Sequence, residues 1–209
     1  RFSRPWSRCP PPFRIAGWTP PPLPRGATAP AIMISVIVCS TKPPEWETHR
    51  RNVAKTVGAE HEYLLVDNRA AKLGLCGAYN RALVQARGEI LVFLHDDVFF
   101  MENDWGRVLQ EKFRDPAVGL VGVAGTQYLF AAPLPWYSAG RPFVFGQVVQ
   151  ESGHEQHVAL YSRQDADAEV VAADGLLLAM RGELFRRGLR FDEATFDRFQ
   201  LYDMDICMQ

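Results

Sequence analysis

The sequence predicts an α/β fold: a mostly parallel sheet with helices on both faces, plus an irregular insertion. Three observations predict it. β-branched apolar runs alternate with stretches of helical period from residue 32 to residue 123. Gly and Pro punctuate the joins. Acidic residues follow the apolar runs, at the carboxyl ends of strands, where open parallel sheets bind ligands.

The elements follow in order. Ile32 to Cys39 is an apolar, β-branched run that ends at Ser40-Thr41-Lys42-Pro43-Pro44, a buried strand running into a loop. Trp46 to Val57 has helical character and stops at Gly58. Glu62 to Val66 is a second strand, with Asp67-Asn68 at its end. Cys76 to Ala86 places Ala78, Ala82, Leu83 and Ala86 on one helical face before Gly88. Glu89 to Leu94 is a third strand, ending at His95-Asp96-Asp97. Asp104 is the expected N-cap of a helix through Phe113, and Val118 to Val123 is the expected fourth strand. Residues 126–168 interleave aromatics, Pro and Gly without a period, which predicts loops and one hairpin. Val170 to Ala173 and Leu176 to Met180 are short strands around Asp174-Gly175, and Gly182 to Arg187 is a short helix.

Composition narrows the function. The chain has 209 residues, 23 Lys and Arg, 24 Asp and Glu, and a net charge of −1, which disfavours nucleic acid as a partner. No apolar run reaches the length of a membrane span. Cys9, Cys39, Cys76 and Cys207 lie far apart without a CxxC pair, which excludes a zinc ribbon and predicts a reducing, cytoplasmic setting. Residues 1–30 hold nine of the fifteen prolines, five arginines and no acid, and are expected to be a disordered leader. Without them, 18 basic residues face 24 acidic ones. An acidic body needs a cation, an Arg or a helix N-terminus to hold an anionic ligand. The helical segment still running at Gln209 predicts a domain truncated at its C-terminus.

Neither GxGxxG nor GxxxxGK[ST] occurs, which removes support for dinucleotide oxidoreductases and P-loop NTPases. Gly153-His154-Glu155-Gln156-His157 is not HExxH and does not predict a zinc hydrolase. Asp67, Asp96, Asp97 and Asp174 sit where carboxylates ligate a hard cation or hold ribose hydroxyls. In an extended strand Asp96 and Asp97 face opposite ways, so only one of them ligates; turn formation is the competing reading. Trp136, Tyr137, Phe143 and Phe145 either line an acceptor groove or form a satellite core.

Four segments together resemble a family. They are Ile34 to Thr41; Leu65-Val66-Asp67-Asn68; Ala78 to Ala82 continuing through Gly88-Glu89 to His95-Asp96-Asp97-Val98; and Asp174-Gly175 through Phe191-Asp192-Glu193 to Tyr202-Asp203-Met204-Asp205. In this order they resemble a GT-A (Rossmann-like) glycosyltransferase of the family-2 type, in its glycosyltransferase-like subgroup, over residues 32–209. The resemblance implies transfer of a sugar from a nucleotide-diphosphate sugar to a glycan or other hydroxyl acceptor, inverting and dependent on Mn²⁺ or Mg²⁺. It implies that Ser40 and Thr41 border the nucleobase and that Asp67 holds the base or ribose. Asn80 and Arg81 then lie beside the donor. His95-Asp96-Asp97 takes the place of the Asp-x-Asp metal motif, with His in the first position and Asp97 as metal ligand. His95 contacts ribose or metal, or is structural, and Asp96 belongs to the donor site. Asp174 borders the donor sugar and acceptor. Asp203 is the base of a Glu-Asp pair whose Glu is replaced by Tyr202. Two alternatives stay open: a degenerate GT-A domain that binds nucleotide or glycan, and a GT-A-like nucleotidyltransferase. A membrane-linked acceptor also stays open.

Overall fold

A computed structural model describes residues 32–130, 134–152, 155–163 and 166–209. The expected leader, residues 1–30, lies outside the described residues, as do Gly153 and His154 of the histidine-bearing segment.

The first half follows the expected alternation. β1 (Ile34–Ser40) leads into α1 (Pro43–Thr56), which has Pro in its first turn, where a missing N–H costs nothing. β2 (His61–Asp67), α2 (Leu75–Leu83) and β3 (Ile90–His95) follow. α3 (Trp105–Lys112) precedes two very short strands, β4 (Leu120–Gly122) and β5 (Ala124–Thr126). The insertion carries a 3₁₀ turn at Trp136–Ala139 and the hairpin β6 (Val144–Ser152) and β7 (Glu155–Leu160). β8 (Ala172–Ala173), β9 (Leu177–Arg181), α4 (Gly182–Arg186) and α5 (Tyr202–Met208) complete the chain.

The main sheet has five strands in the order β2-β1-β3-β9-β4. β1 pairs in parallel with β2 and with β3, in a register that aligns Ser40 with Asp67 and Cys39 with His95. Each face buries its own core. Ile34, Val36 and Val38 of β1 pack with Val53 and Val57 beneath α1, and with Leu109 and Phe113 of the α3 region. Ile37 faces the other way, among Cys76, Tyr79, Phe93, Phe191, Tyr202 and Ile206. This two-residue alternation puts α1 and α3 on one face and α2 and α5 on the other.

Two expectations are corrected and a third is extended. The expected fourth strand, Val118 to Val123, is shorter, covering only Leu120–Gly122 as β4, and it reaches the sheet only through β9, which runs antiparallel to both β3 and β4. Asp104 is not a side-chain N-cap. It sits in the left-handed region at φ 64°, and its N–H donates to the Thr56 carbonyl at 2.7 Å. The first turn of α3 is held instead by the C-terminal end of α1, since the Gly106 N–H bonds the Val57 carbonyl at 2.9 Å. The insertion carries the expected hairpin, β6–β7, and that hairpin joins β5 and β8 in a second, antiparallel four-stranded sheet with a satellite core around Trp136 and Val144. No helix among the described residues is long and apolar enough to cross a membrane.

Candidate active site

The reversed strand β9 builds the site. β1, β2 and β3 present their carboxyl ends at one rim, with Ser40, Asp67 and His95 as terminal residues. Because β9 is antiparallel, the loop that precedes it, Asp174-Gly175-Leu176, arrives at the same rim. The His95 N–H fastens that loop by bonding the Leu176 carbonyl at 3.1 Å. The start of α5 then places Tyr202 and Asp203 beside it: the Gly175 N–H donates to Asp203 Oδ2 at 3.1 Å.

His95 is the hub. Its Nε2 lies 2.6 Å from the Tyr202 hydroxyl, and its ring packs 5.3 Å from that of Phe199. Burial pushes its pKa down, and the surrounding carboxylates of Asp97, Asp174, Asp203 and Asp96 oppose that shift. Four of the predicted acids therefore act on one imidazole. Burial likewise raises the Asp203 carboxyl, reinforced by Asp174 and opposed by the N–H groups of Met204 and Gly175. Asp174 accepts the Leu176 N–H at 2.8 Å through Oδ1 and the Trp136 indole N–H at 2.6 Å through Oδ2. Trp136 is buried, while Tyr137 and Phe143 are exposed, so the aromatics of the insertion divide between a small core and a surface.

Asp96 and Asp97 lie in a turn beyond β3, not in the strand, so the turn separates them. Asp96 turns inward and accepts the Ser40 hydroxyl at 2.6 Å, with Lys42 Nζ at 3.6 Å. Asp97 is exposed. Ser40 also accepts the Trp46 indole N–H at 2.8 Å, and Thr41 is exposed beside it.

Asp67 is engaged by a residue the sequence reading passed over. Arg69 donates to Asp67 Oδ1 at 2.9 Å and Oδ2 at 2.6 Å, holding the carboxyl below its usual range. The same guanidinium lies 5.0 Å from the centre of the Trp46 ring. Trp46, Arg69, Ser40 and Asp96 thus tie the ends of all three parallel strands together. The available signal was the Asp-x-Arg spacing two residues past β2.

Two predicted donor residues stand apart from the carboxylates. Asn80 clamps the backbone of Phe191, donating to its carbonyl at 2.8 Å and accepting its N–H at 3.1 Å. These bonds tie α2 to the segment before α5. Arg81 is exposed and lines an open cleft of about 830 Å³ along the outer edge of β2, with Arg50, Tyr63 and Asp67. A second cleft, of about 700 Å³, contains Asn80, Asp192, Glu193 and Asp205, which turns Asp205 away from Asp203. Neither cleft includes His95, Asp97, Asp174 or Asp203.

The profile of a family described as glycosyltransferase-like matches residues 35–209. The chain belongs to that glycosyltransferase-like family. The mixed α/β sheet with helices on both faces agrees with the GT-A architecture expected of it. A search of curated proteins returns no significant relative. Among solved structures, the chain is similar to the mannosyltransferase PcManGT from Pyrobaculum calidifontis in complex with GDP-Man and Mn²⁺. The identity is 16%, the TM-score 0.49, and the match covers 81% of this chain and 50% of that one. This member of the glycosyltransferase-like family therefore spans half the length of that structure.

Proposed function

We propose that the chain transfers a sugar from a nucleotide-diphosphate sugar to an acceptor hydroxyl, with inversion at the anomeric carbon. The observation that carries this reading is the hydrogen-bonded join at the carboxyl rim of the sheet, where His95 meets Tyr202, the His95 N–H holds the Asp174-Gly175-Leu176 loop, and the Gly175 N–H holds Asp203. Asp203 is the base. Its raised carboxyl is better matched to receiving a hydroxyl proton than an ordinary aspartate is. The acceptor oxygen bonds to the anomeric carbon as the bond from that carbon to the diphosphate breaks. The proton passes to Asp203, and the nucleoside diphosphate leaves with the electron pair. Asp174, held in place by Trp136, borders the reacting sugar.

An anionic diphosphate entering among these acids requires a cation. Among the described residues, no cluster of three or more His, Cys, Asp or Glu side chains can hold a metal ion. Mg²⁺ or Mn²⁺ would be carried largely by substrate phosphates, with one carboxylate from the protein. Asp97, exposed in the turn, is the residue that fits; when bound, the metal would stabilise charge on the departing diphosphate. Ser40, Thr41 and Asp67 frame the nucleoside, with Trp46 and Arg69 added to them.

The test is release of nucleoside diphosphate from UDP-, GDP-, CDP- and dTDP-sugars with Mn²⁺ and a panel of hydroxyl acceptors. Release by the parent chain and its loss in Asp203→Asn support the proposal. Binding without turnover supports a degenerate domain instead. That second reading draws on one specific observation: Arg69 already engages both oxygens of Asp67.

A further inference from the structure

We propose that Tyr202, anchored by His95, is a positioning residue that fixes the Gly175 backbone and through it the carboxylate of Asp203. The inference rests on the transferase reading for its catalytic meaning, and on geometry for the rest.

The hydrogen bonds are continuous. The Tyr202 hydroxyl donates to the Gly175 carbonyl at 2.9 Å. Its oxygen is thereby free to accept from His95 Nε2, 2.6 Å away, which selects the tautomer protonated at Nε2. On the other side of the Gly175 Cα, the Gly175 N–H donates to Asp203 Oδ2. Both peptide groups of Gly175 are thus pinned by adjacent residues of α5, one by Tyr202 and the other by Asp203.

Sterics enforce the same arrangement. A Cβ on Gly175 would stand 2.1 Å from the Tyr202 hydroxyl, 2.6 Å from its Cζ and 3.1 Å from Asp203 Cβ. Only glycine lets the two side chains close around this backbone. The ring of Tyr202 is buried, with the rings of Tyr79 and Phe191 5.9 Å and 6.3 Å away. Immediately before the pair, Leu201 adopts φ 66°, a left-handed conformation that non-glycine residues rarely take. Such strain persists where surrounding contacts over-determine it, and Tyr202 supplies those contacts.

His95 and Tyr202, which stand in place of acids in the motifs the sequence resembles, are therefore hydrogen-bonded partners, Tyr202 buried and His95 half-buried. The pair leaves Asp203 as the acid held by the Gly175 amide.

Tyr202→Phe keeps the ring and removes the hydroxyl. Amide hydrogen exchange, read by NMR without any substrate, tests the geometry. The Gly175 amide is expected to exchange about tenfold faster in Tyr202→Phe, as loss of one buried hydrogen-bond anchor implies. The Leu178 and Ala179 amides of β9 should keep their parent rates. His95→Gln, which retains an N–H for the tyrosine, should preserve Gly175 protection, and His95→Ala should not. Unchanged Gly175 exchange in Tyr202→Phe overturns the proposal. So does equal loss of protection along β9, which marks a general loss of stability. Where the parent turns over a donor sugar, Tyr202→Phe should lower kcat about tenfold or more with donor KM unchanged; a KM effect alone also overturns it. A parent without turnover defeats the transferase reading, and the exchange measurement still decides the positioning.

Discussion

The His95 imidazole and the Tyr202 hydroxyl meet at 2.6 Å across 107 residues of sequence. That contact joins the end of the third parallel strand to the first turn of the last helix. It brings Asp203 to the rim that carries Asp96 and Asp97. Family-motif acids are thereby assembled around a pair that is itself not acidic.

Asp203→Asn should reduce transfer about 10²–10⁴-fold, the usual range for loss of a general base, with nucleotide affinity nearly intact. Its effect on stability should depend on pH. Burial raises the Asp203 carboxyl, so the folded chain holds that proton more tightly than the unfolded chain. The stabilisation is full below the unfolded pKa and is lost as pH rises through the folded one. Asp203→Asn should therefore raise Tm relative to the parent at neutral pH and lose that advantage at acid pH. Thermal melts across pH check this; a pH-independent difference contradicts it.

Trp136→Phe removes the indole N–H that Asp174 accepts at 2.6 Å. Hydrogen bonds to charged groups contribute about 1.5–3 kcal/mol, so urea unfolding should show a loss of about 2 kcal/mol. Transfer should fall as well, since the Asp174 carboxyl then keeps only the Leu176 N–H of its two hydrogen bonds. An unfolding curve that superimposes on the parent's would remove this contact from the account.

Gly88→Ala tests the join between α2 and β3. A Cβ there would lie 2.4 Å from the Ser35 nitrogen and 2.9 Å from the Ile90 carbonyl, both backbone atoms that cannot swing aside. Overpacking of this kind costs about 1–3 kcal/mol. Because Gly88 lies at the amino end of β3, opposite the rim that carries the carboxylates, Tm should drop while the ratio of nucleotide affinities stays unchanged.

The legible part of the fold was the part with a strong period. The apolar runs of β1 and β3 are buried on both faces, and α1 ends just before Gly58, while α2 stops at Leu83, short of the expected Ala86. The direction of β9 was not legible, because Leu177 to Met180 is as apolar as a parallel strand and carries no mark of orientation. The second sheet was hidden because Glu155 to Val158 of β7 are exposed and so lack an apolar face. In the candidate site, Asp203, Asp174, Asp96 and Asp97 were named through motif spacing, and the strand ends and α5 place them at one rim. Arg69 and Trp46 were missed because their roles exist only once the ends of β1 and β2 stand side by side. The tie from Asn80 to Phe191 was not legible for a related reason: the two residues lie 111 positions apart.

The central claim is that the rim carboxylates form a metal-assisted nucleoside diphosphate site. Calorimetric titration of UDP, GDP, CDP and dTDP, each with and without Mn²⁺, into the parent chain and Asp97→Ala tests it most directly. One diphosphate should bind the parent only with Mn²⁺, and Asp97→Ala should lose that binding while keeping the parent's Tm. Binding of none by a folded chain, or binding that ignores both Mn²⁺ and Asp97, would contradict it.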